Sequence, residues 1–205
     1  MSAHHQSDFE FSGGHLGLDF ANTVSNRPTA DRVDKIRSFR DLVAWGSEAG
    51  LLSRREAEGL RRLALEAPGR GKSTLLEAIE FREAVFSIFS AIATGRDVPA
   101  NALSLLNIYL QTAAHYAHLI RSGRGFQWEW TSTEKRLDSV LFPVARAAAE
   151  LLTSENLARL RICASDECEW LFLDTTKNGR RRWCDMKTCG NRDKARRFYE
   201  RTKKA

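Results

Sequence analysis

Apolar and polar positions divide the chain into a long part with helical period and a short final part of different texture. Over residues 38–49 apolar positions recur at helical spacing and Gly50 stops the pattern, which predicts a helix. Ser53 and Glu56 form an S-x-x-E capping box that opens a second helix, running to residue 66 and ended by Ala67-Pro68-Gly69. Over residues 72–94 Glu77, Glu80, Glu83, Ser87, Ser90 and Thr94 make a narrow polar stripe. Leu76, Ile79, Phe86 and Phe89 belong to the apolar remainder. So narrow a stripe predicts a central helix buried on most sides. A helix over 99–118 is expected to bury Leu103, Leu106, Leu110 and Ala113. Residues 126–130 alternate and read as a strand, paired with HLIRS across the Gly-Arg-Gly turn. A last helix is expected over 133–152, interrupted by Pro143. FEFSGGHLGLDF, residues 9–20, mixes glycines with short apolar pieces and reads as irregular or weakly extended.

The final part begins after residues 157–162. WLFLD reads as a strand, Asn178-Gly179 as a turn, and RRRWC as the returning strand. In the helical pattern that follows, Ala195, Phe198 and Tyr199 form an apolar strip. Lys194, Arg197, Arg201 and Lys204 fall on another face. The sequence leaves open whether this helix starts near Asp185 or near Asn191.

All four cysteines lie in this part. Cys163, Cys168, Cys184 and Cys189 are spaced C-x4-C-x15-C-x4-C. Two close pairs around a hairpin place four thiolates at the corners of a tetrahedron, as one structural Zn²⁺ requires. Four thiolates leave no open position for a catalytic water. The order of cysteine pair, hairpin, cysteine pair and helix is the layout of a treble-clef-type module. The expected fold is therefore mainly α with a short β-hairpin: a helical domain over 1–158 and a zinc module over 159–205.

Charge adds a partner. The chain has a formal net charge of +6, and residues 163–205 hold 12 Lys and Arg against 7 Asp and Glu. Residues 1–162 are nearly balanced, with 20 against 19. A basic end of this kind fits nucleic acid, and equally a solvated basic surface. No apolar run reaches the roughly 20 residues that span a bilayer. The opening MSAHHQSDFEFSGG lacks the pattern of a targeting segment. The expectation is a cytoplasmic protein with reduced thiols and no membrane partner.

Trp183-Cys184, Met186, Cys189-Gly190-Asn191-Arg192 and Lys194 resemble the CGNR zinc-finger family of bacteria. The segment LRICASDECEWLFLDTTKNGRRRWC fits that family's first cysteine pair and strands. GGHLGLDFANTV, with LDFANT its most distinctive piece, and DLVAWGSEAGLL resemble the ABATE domain, described as a stress-induced transcription regulator. The resemblance implies regulation of transcription through DNA binding.

The candidate DNA contacts are Arg180, Arg181, Arg192, Lys194, Arg197 and Arg201. On a strand the three consecutive arginines alternate faces, so not all of them reach DNA. Arg192 either faces DNA or bonds cysteine sulfurs or a carboxylate, and Arg182 either faces DNA or neutralises the thiolate cluster. Gly190 provides close backbone approach or a positive φ, and Asn191 caps the helix or sits early in it. A small-molecule effector is a second possibility, through Asp19, Asn22, Thr23 and Arg27, whose other role is to cap turns and bind backbone amides. On that reading the zinc module is a structural staple or a protein-interaction surface. A third possibility is RNA, with Trp183, Phe198 or Tyr199 stacking bases or else forming module core. Specific DNA binding would need a homodimer. His115 and His118 are three apart on a predicted helix, with no further ligand near them, and His4 and His5 lie in the N-terminal tail. No phosphate loop, nucleophile elbow or HExxH motif occurs, so no enzyme is expected.

Overall fold

The computed structural model describes residues 9–131 and 136–203. Lys204, His4, His5 and the expected start of a helix at Thr133 lie outside the described residues. Among those described, seven α-helices and three two-stranded antiparallel ribbons occur.

Local chemistry sets the helix ends. α2 (Phe39–Glu48) starts at Ser38, whose hydroxyl accepts from the Asp41 amide at 3.2 Å while the Asp41 carboxylate accepts from the Ser38 amide at 2.8 Å. Gly50, with φ 73°, closes it. α3 (Arg54–Glu66) opens on the expected Ser53–Glu56 box. α4 (Pro68–Ala93) starts earlier than its periodicity suggested. Pro68 ends one helix and occupies the first position of the next, where its missing N–H costs nothing. A Cβ at Gly71 would lie 3.2 Å from the Ala64 Cβ, so glycine lets α3 and α4 close on each other.

α4 runs through the core, where Phe81, Val85, Ile88 and Phe89 are buried. Its first turns bury only the face with Gly71, Thr74 and Ala78, so Leu76 on the opposite face is exposed, contrary to expectation. α5 (Ala100–Tyr116) buries Leu106 and Ala113 but leaves Leu103 exposed at its outer face. His118 falls in a strand, β3 (Ala117–Ser122), so it shares no helix face with His115. β3 pairs with β4 (Gly125–Trp130) across the expected glycine turn. Pro143 lies at the start of α6 (Phe142–Leu152), behind a 3-10 turn over Leu137–Leu141, rather than inside a longer helix.

Residues expected to be irregular contain α1 (Leu16–Ala21), a short helix wedged between α4 and α6. Leu18, Phe20 and Ala21 are fully buried, and Gly17 meets the Ala148 backbone. The Phe20 ring lies 4.8 Å from Trp45 and 6.1 Å from Phe81. Burial on all sides erases the periodicity that would have marked this helix.

β1 (Val24–Ser25) and β2 (Val33–Asp34) form a small ribbon beside α4. Arg82 of α4 is fully buried and grips Asp34 through two bonds of 2.7 and 2.6 Å. Burial alone would raise the Asp34 pKa, but the bonds and charge of Arg82, with the Ile36 amide and the Arg32 charge, together outweigh it and hold the carboxyl below its ordinary value. No described helix is long and apolar enough to cross a membrane.

β5 (Leu160–Ile162) and β6 (Leu171–Leu173) form the third ribbon. This corrects the expected hairpin: the partner of WLFLD is the strand before it, not RRRWC after it. Pairing with β5 lets Leu160, Leu171 and Leu173 join the helical core. The arginine segment is held by one backbone bond, from the Ala164 amide to the Arg182 carbonyl at 2.8 Å, and by the Asp174 carboxylate. The opposite edge of β6 faces the N-terminal segment. The Asn22 amide donates to the Leu171 carbonyl at 2.8 Å and accepts from the Leu171 amide at 2.9 Å. The Leu173 amide donates to Gly13, and the Trp170 indole to Val24.

Candidate metal centre

β6 alternates between two cores. Leu171 and Leu173 face the helices, while Trp170 and Phe172 pack with Cys163, Cys168, Cys184 and Cys189. Period-two alternation thus puts the metal centre on the back of the strand that closes the helical core.

Each cysteine has a local reason for its place. Cys163 extends the ribbon, its amide donating to the Trp170 carbonyl at 2.8 Å. Cys168 ends a turn closed on Ser165, and Glu169 takes a positive φ of 59° to return the chain to β6. The Cys184 amide donates to the Cys163 sulfur at 3.4 Å. Cys189 sits in a π-helical turn, Met186–Gly190, whose start is capped by Asp185 accepting from the Thr188 amide and hydroxyl. That turn runs straight into α7 (Asn191–Thr202), which answers where the helix begins. Asn191 is its first residue, bonded to the Lys187 carbonyl. Gly190 has φ −65°, which excludes a positive φ as its role, and the Met186 thioether packs where its Cβ would be.

The four sulfurs lie within 4.8 Å of one another and all four residues are buried. Cys168 and Cys184 sulfurs are 3.6 Å apart, and Cys184 and Cys189 sulfurs 3.7 Å. Tetrahedral zinc with Zn–S bonds of ~2.3 Å needs sulfurs about 3.8 Å apart, so the donor set fits the ion. Bonds from the Cys168 and Cys184 thiols hold the Cys163 pKa far below its ordinary value, so a thiolate is at hand. One zinc ion is bound here, and its four thiolates would fix the hairpin, the arginine segment and α7 to one point.

The predicted cationic residues divide into two groups. Arg181 bonds the Trp183 and Cys184 carbonyls and lies 4.5 Å over the Phe172 ring, so it braces the module. Arg192 pairs with Glu167 at 2.7 Å, and Arg197 with the buried Asp193 at 2.9 Å. Arg196, absent from the predicted set, bridges Asp166 and Asp193. Among the described residues, Arg180, Lys194 and Arg201 are exposed with no carboxylate in ion-pair range, and Arg182 lies 5.2 Å over the Trp183 ring. Phe198 and Tyr199 are 58% and 66% exposed, which corrects their reading as module core. Trp170, Phe172 and Trp183 fill that core with the cysteines, and Asp193 is the only buried residue among those described in α7.

The four proposed effector residues each bond to other parts of the protein, although the buried Arg27 Nε has no partner. Asp19 accepts from the Gly13 amide at 2.8 Å; burial raises its pKa to about 6, against the lowering by that bond. Asn22 binds β6. Thr23 donates to the Phe20 carbonyl and accepts from Arg82. Arg27 binds Glu83 and the Ala21 carbonyl and lies 3.8 Å over the Phe86 ring. Arg82, buried and bonded to Thr23 and Asp34, carries no local sequence signal, because those partners lie 59 and 48 residues away.

A helical domain closed by a four-thiolate zinc module is thus the class of protein. Residues 14–155 match the ABATE family, whose description reads "Putative stress-induced transcription regulator", and residues 159–202 match the CGNR zinc finger. The chain belongs to the ABATE family and carries a CGNR zinc finger after it. No curated protein matches the chain.

Proposed function

We propose that this chain regulates transcription, as its family's description suggests, by binding duplex DNA through the zinc module. The ion holds the module rigid, and the free cations meet phosphates. The observation that supports this most is that Arg180, Lys194 and Arg201 keep their charges in solvent, with no carboxylate partner among the described residues. On α7, exposed Lys194 and Arg201 lie one turn before and one turn after the exposed Phe198, a strip along the helix suited to a groove. One module covers few base pairs, so a homodimer on paired half-sites is the assembly we propose. We assign no catalytic step, and place the protein in the cytoplasm with a role in stress response.

Zinc-loaded protein titrated with duplex DNA at several salt concentrations tests this. Affinity should fall steeply with salt, by a log–log slope of about −0.9 per phosphate contact. A Lys194→Glu/Arg201→Glu variant with full zinc content should lose that slope and at least about tenfold in affinity. Equal binding by both proteins, or none by either at low salt, refutes the reading.

The shared strand β6 favours a second role for the ion, as a staple for the helical domain. On this reading chelation of zinc lowers the thermal midpoint of the helical signal as well as that of the module. An unchanged helical midpoint confines zinc to the module.

A further inference from the structure

A cleft of about 410 Å³ opens beside the zinc centre, between the loop after β6 and the chain entering Cys184. This lies within the roughly 300–1,000 Å³ of small-molecule sites. Lys177, Arg180, Arg181 and Arg182 line it, with Trp183 and Met186 as its apolar surface and no acidic side chain in its wall.

Its shape is built in. The buried Asp174 carboxylate accepts from the Thr176 amide at 2.9 Å, the Thr176 hydroxyl at 2.6 Å and the Arg181 amide at 2.8 Å. Asp174, at the foot of the loop, thus has its carboxylate engaged by backbone and hydroxyl donors. The Asn178-Gly179 turn closes on Thr176, with φ 61° at Gly179. Arg181 is anchored inward on the Trp183 and Cys184 carbonyls, while Lys177, Arg180 and Arg182 are exposed. Arg182 already lies 5.2 Å over the indole of Trp183, so that ring offers a face to planar groups. Met186 is half exposed beside it.

A simple anion needs only the cations. An apolar ring and a thioether set beside them call for a ligand with a flat apolar body and a charged end. We propose that this cleft takes a nucleoside phosphate, with its base against Trp183 and Met186 and its phosphate among Lys177, Arg180 and Arg182. Base stacking on an aromatic side chain and cations along the backbone are the two elements of sequence-tolerant single-strand binding. The nucleotide is either a free one or an unpaired residue of a DNA strand. Only the second source rests on the DNA-binding reading.

Zinc-loaded, ¹⁵N-labelled full chain decides it, with the Trp183 indole N–H resonance assigned by Trp183→Phe. Three probes are titrated: deoxyadenosine monophosphate, a short single strand of deoxyadenosines, and an abasic strand of equal length. The expected result is movement of the Trp183 resonance with the first two, and at least about tenfold tighter binding of the base-bearing than the abasic strand. Lys177→Glu/Arg180→Glu should weaken both base-bearing probes at least tenfold with zinc content unchanged. Saturation by the mononucleotide without gain from the strand assigns a free nucleotide, and gain from the strand assigns DNA. Equal binding of both strands with an unmoved Trp183 resonance overturns the proposal. Duplex titration of Lys194→Glu/Arg201→Glu runs beside it. Retained duplex binding by that variant with a silent Trp183 fails each reading separately, and loss of only one result fails only its own.

Discussion

Replacing Asn22 by alanine strikes the edge where the two cores meet. β5 satisfies alternate backbone groups of β6, which leaves the amide and carbonyl of Leu171 pointing the other way. The Asn22 side chain satisfies both, at 2.9 and 2.8 Å, from a site only 2% exposed. Alanine removes both partners and admits no strand in exchange. A buried backbone group without a partner costs about 1–3 kcal/mol, so the two together cost about 2–6 kcal/mol. Against a total stability of about 5–15 kcal/mol this is a severe change. Asn22→Asp is expected to be at least as damaging, since a carboxylate accepts from the Leu171 amide but repels its carbonyl. Urea unfolding of zinc-loaded protein, followed by circular dichroism, measures the loss. Chelator competition measures zinc affinity, which should fall because Trp170 and Phe172 ride on the same strand. A cost under about 1 kcal/mol with unchanged zinc affinity would refute the reasoning.

Burial holds the Asp19 pKa at about 6 against an ordinary 3.8, so the folded state binds more protons between those values and stability falls as pH rises through them, by about 3 kcal/mol in all. The Asp19→Asn variant keeps an acceptor for the Gly13 amide without titrating. Its stability relative to the wild type should therefore rise by about 1 kcal/mol from pH 5 to 7, in paired urea melts kept above the acid range that releases zinc. A flat difference would place the Asp19 pKa near its ordinary value. Two helix glycines should respond with opposite signs: a Cβ at Gly46 would meet the buried Val140 at 2.4 Å, whereas nothing lies within 4 Å of one at Gly59. Gly46→Ala is expected to destabilise, since overpacking of about 1–3 kcal/mol outweighs the gain in helix preference, and Gly59→Ala to stabilise by up to about 1 kcal/mol. Thermal midpoints of the two variants moving in the same direction would contradict this.

The metal centre was legible because zinc chemistry is local: two close cysteine pairs in 27 residues need only a turn between them. Ser53–Glu56 and the glycine turn of β3–β4 were legible for the same reason, as each signal acts over a few residues. What failed depends on distant partners. Asn178-Gly179 does form a turn, but the pairing of β6 is decided by the helical core, which must bury Leu171 and Leu173. α1 is too short and too evenly buried to show a period. Phe198 and Tyr199 looked like core because they share a strip with Ala195, yet the cysteines and three aromatic side chains already occupy the space inside.

A cassette can move between chains when it carries all its own walls. This one borrows them: the back of β6 belongs to the zinc module and its front to the helices, and its outer edge is finished by an asparagine 149 residues earlier. Recombination that transplanted residues 159–205 alone would leave Leu160, Leu171 and Leu173 greasy and bare. The segment LDFANT therefore has to travel with the finger, or its new host must supply an equivalent seat.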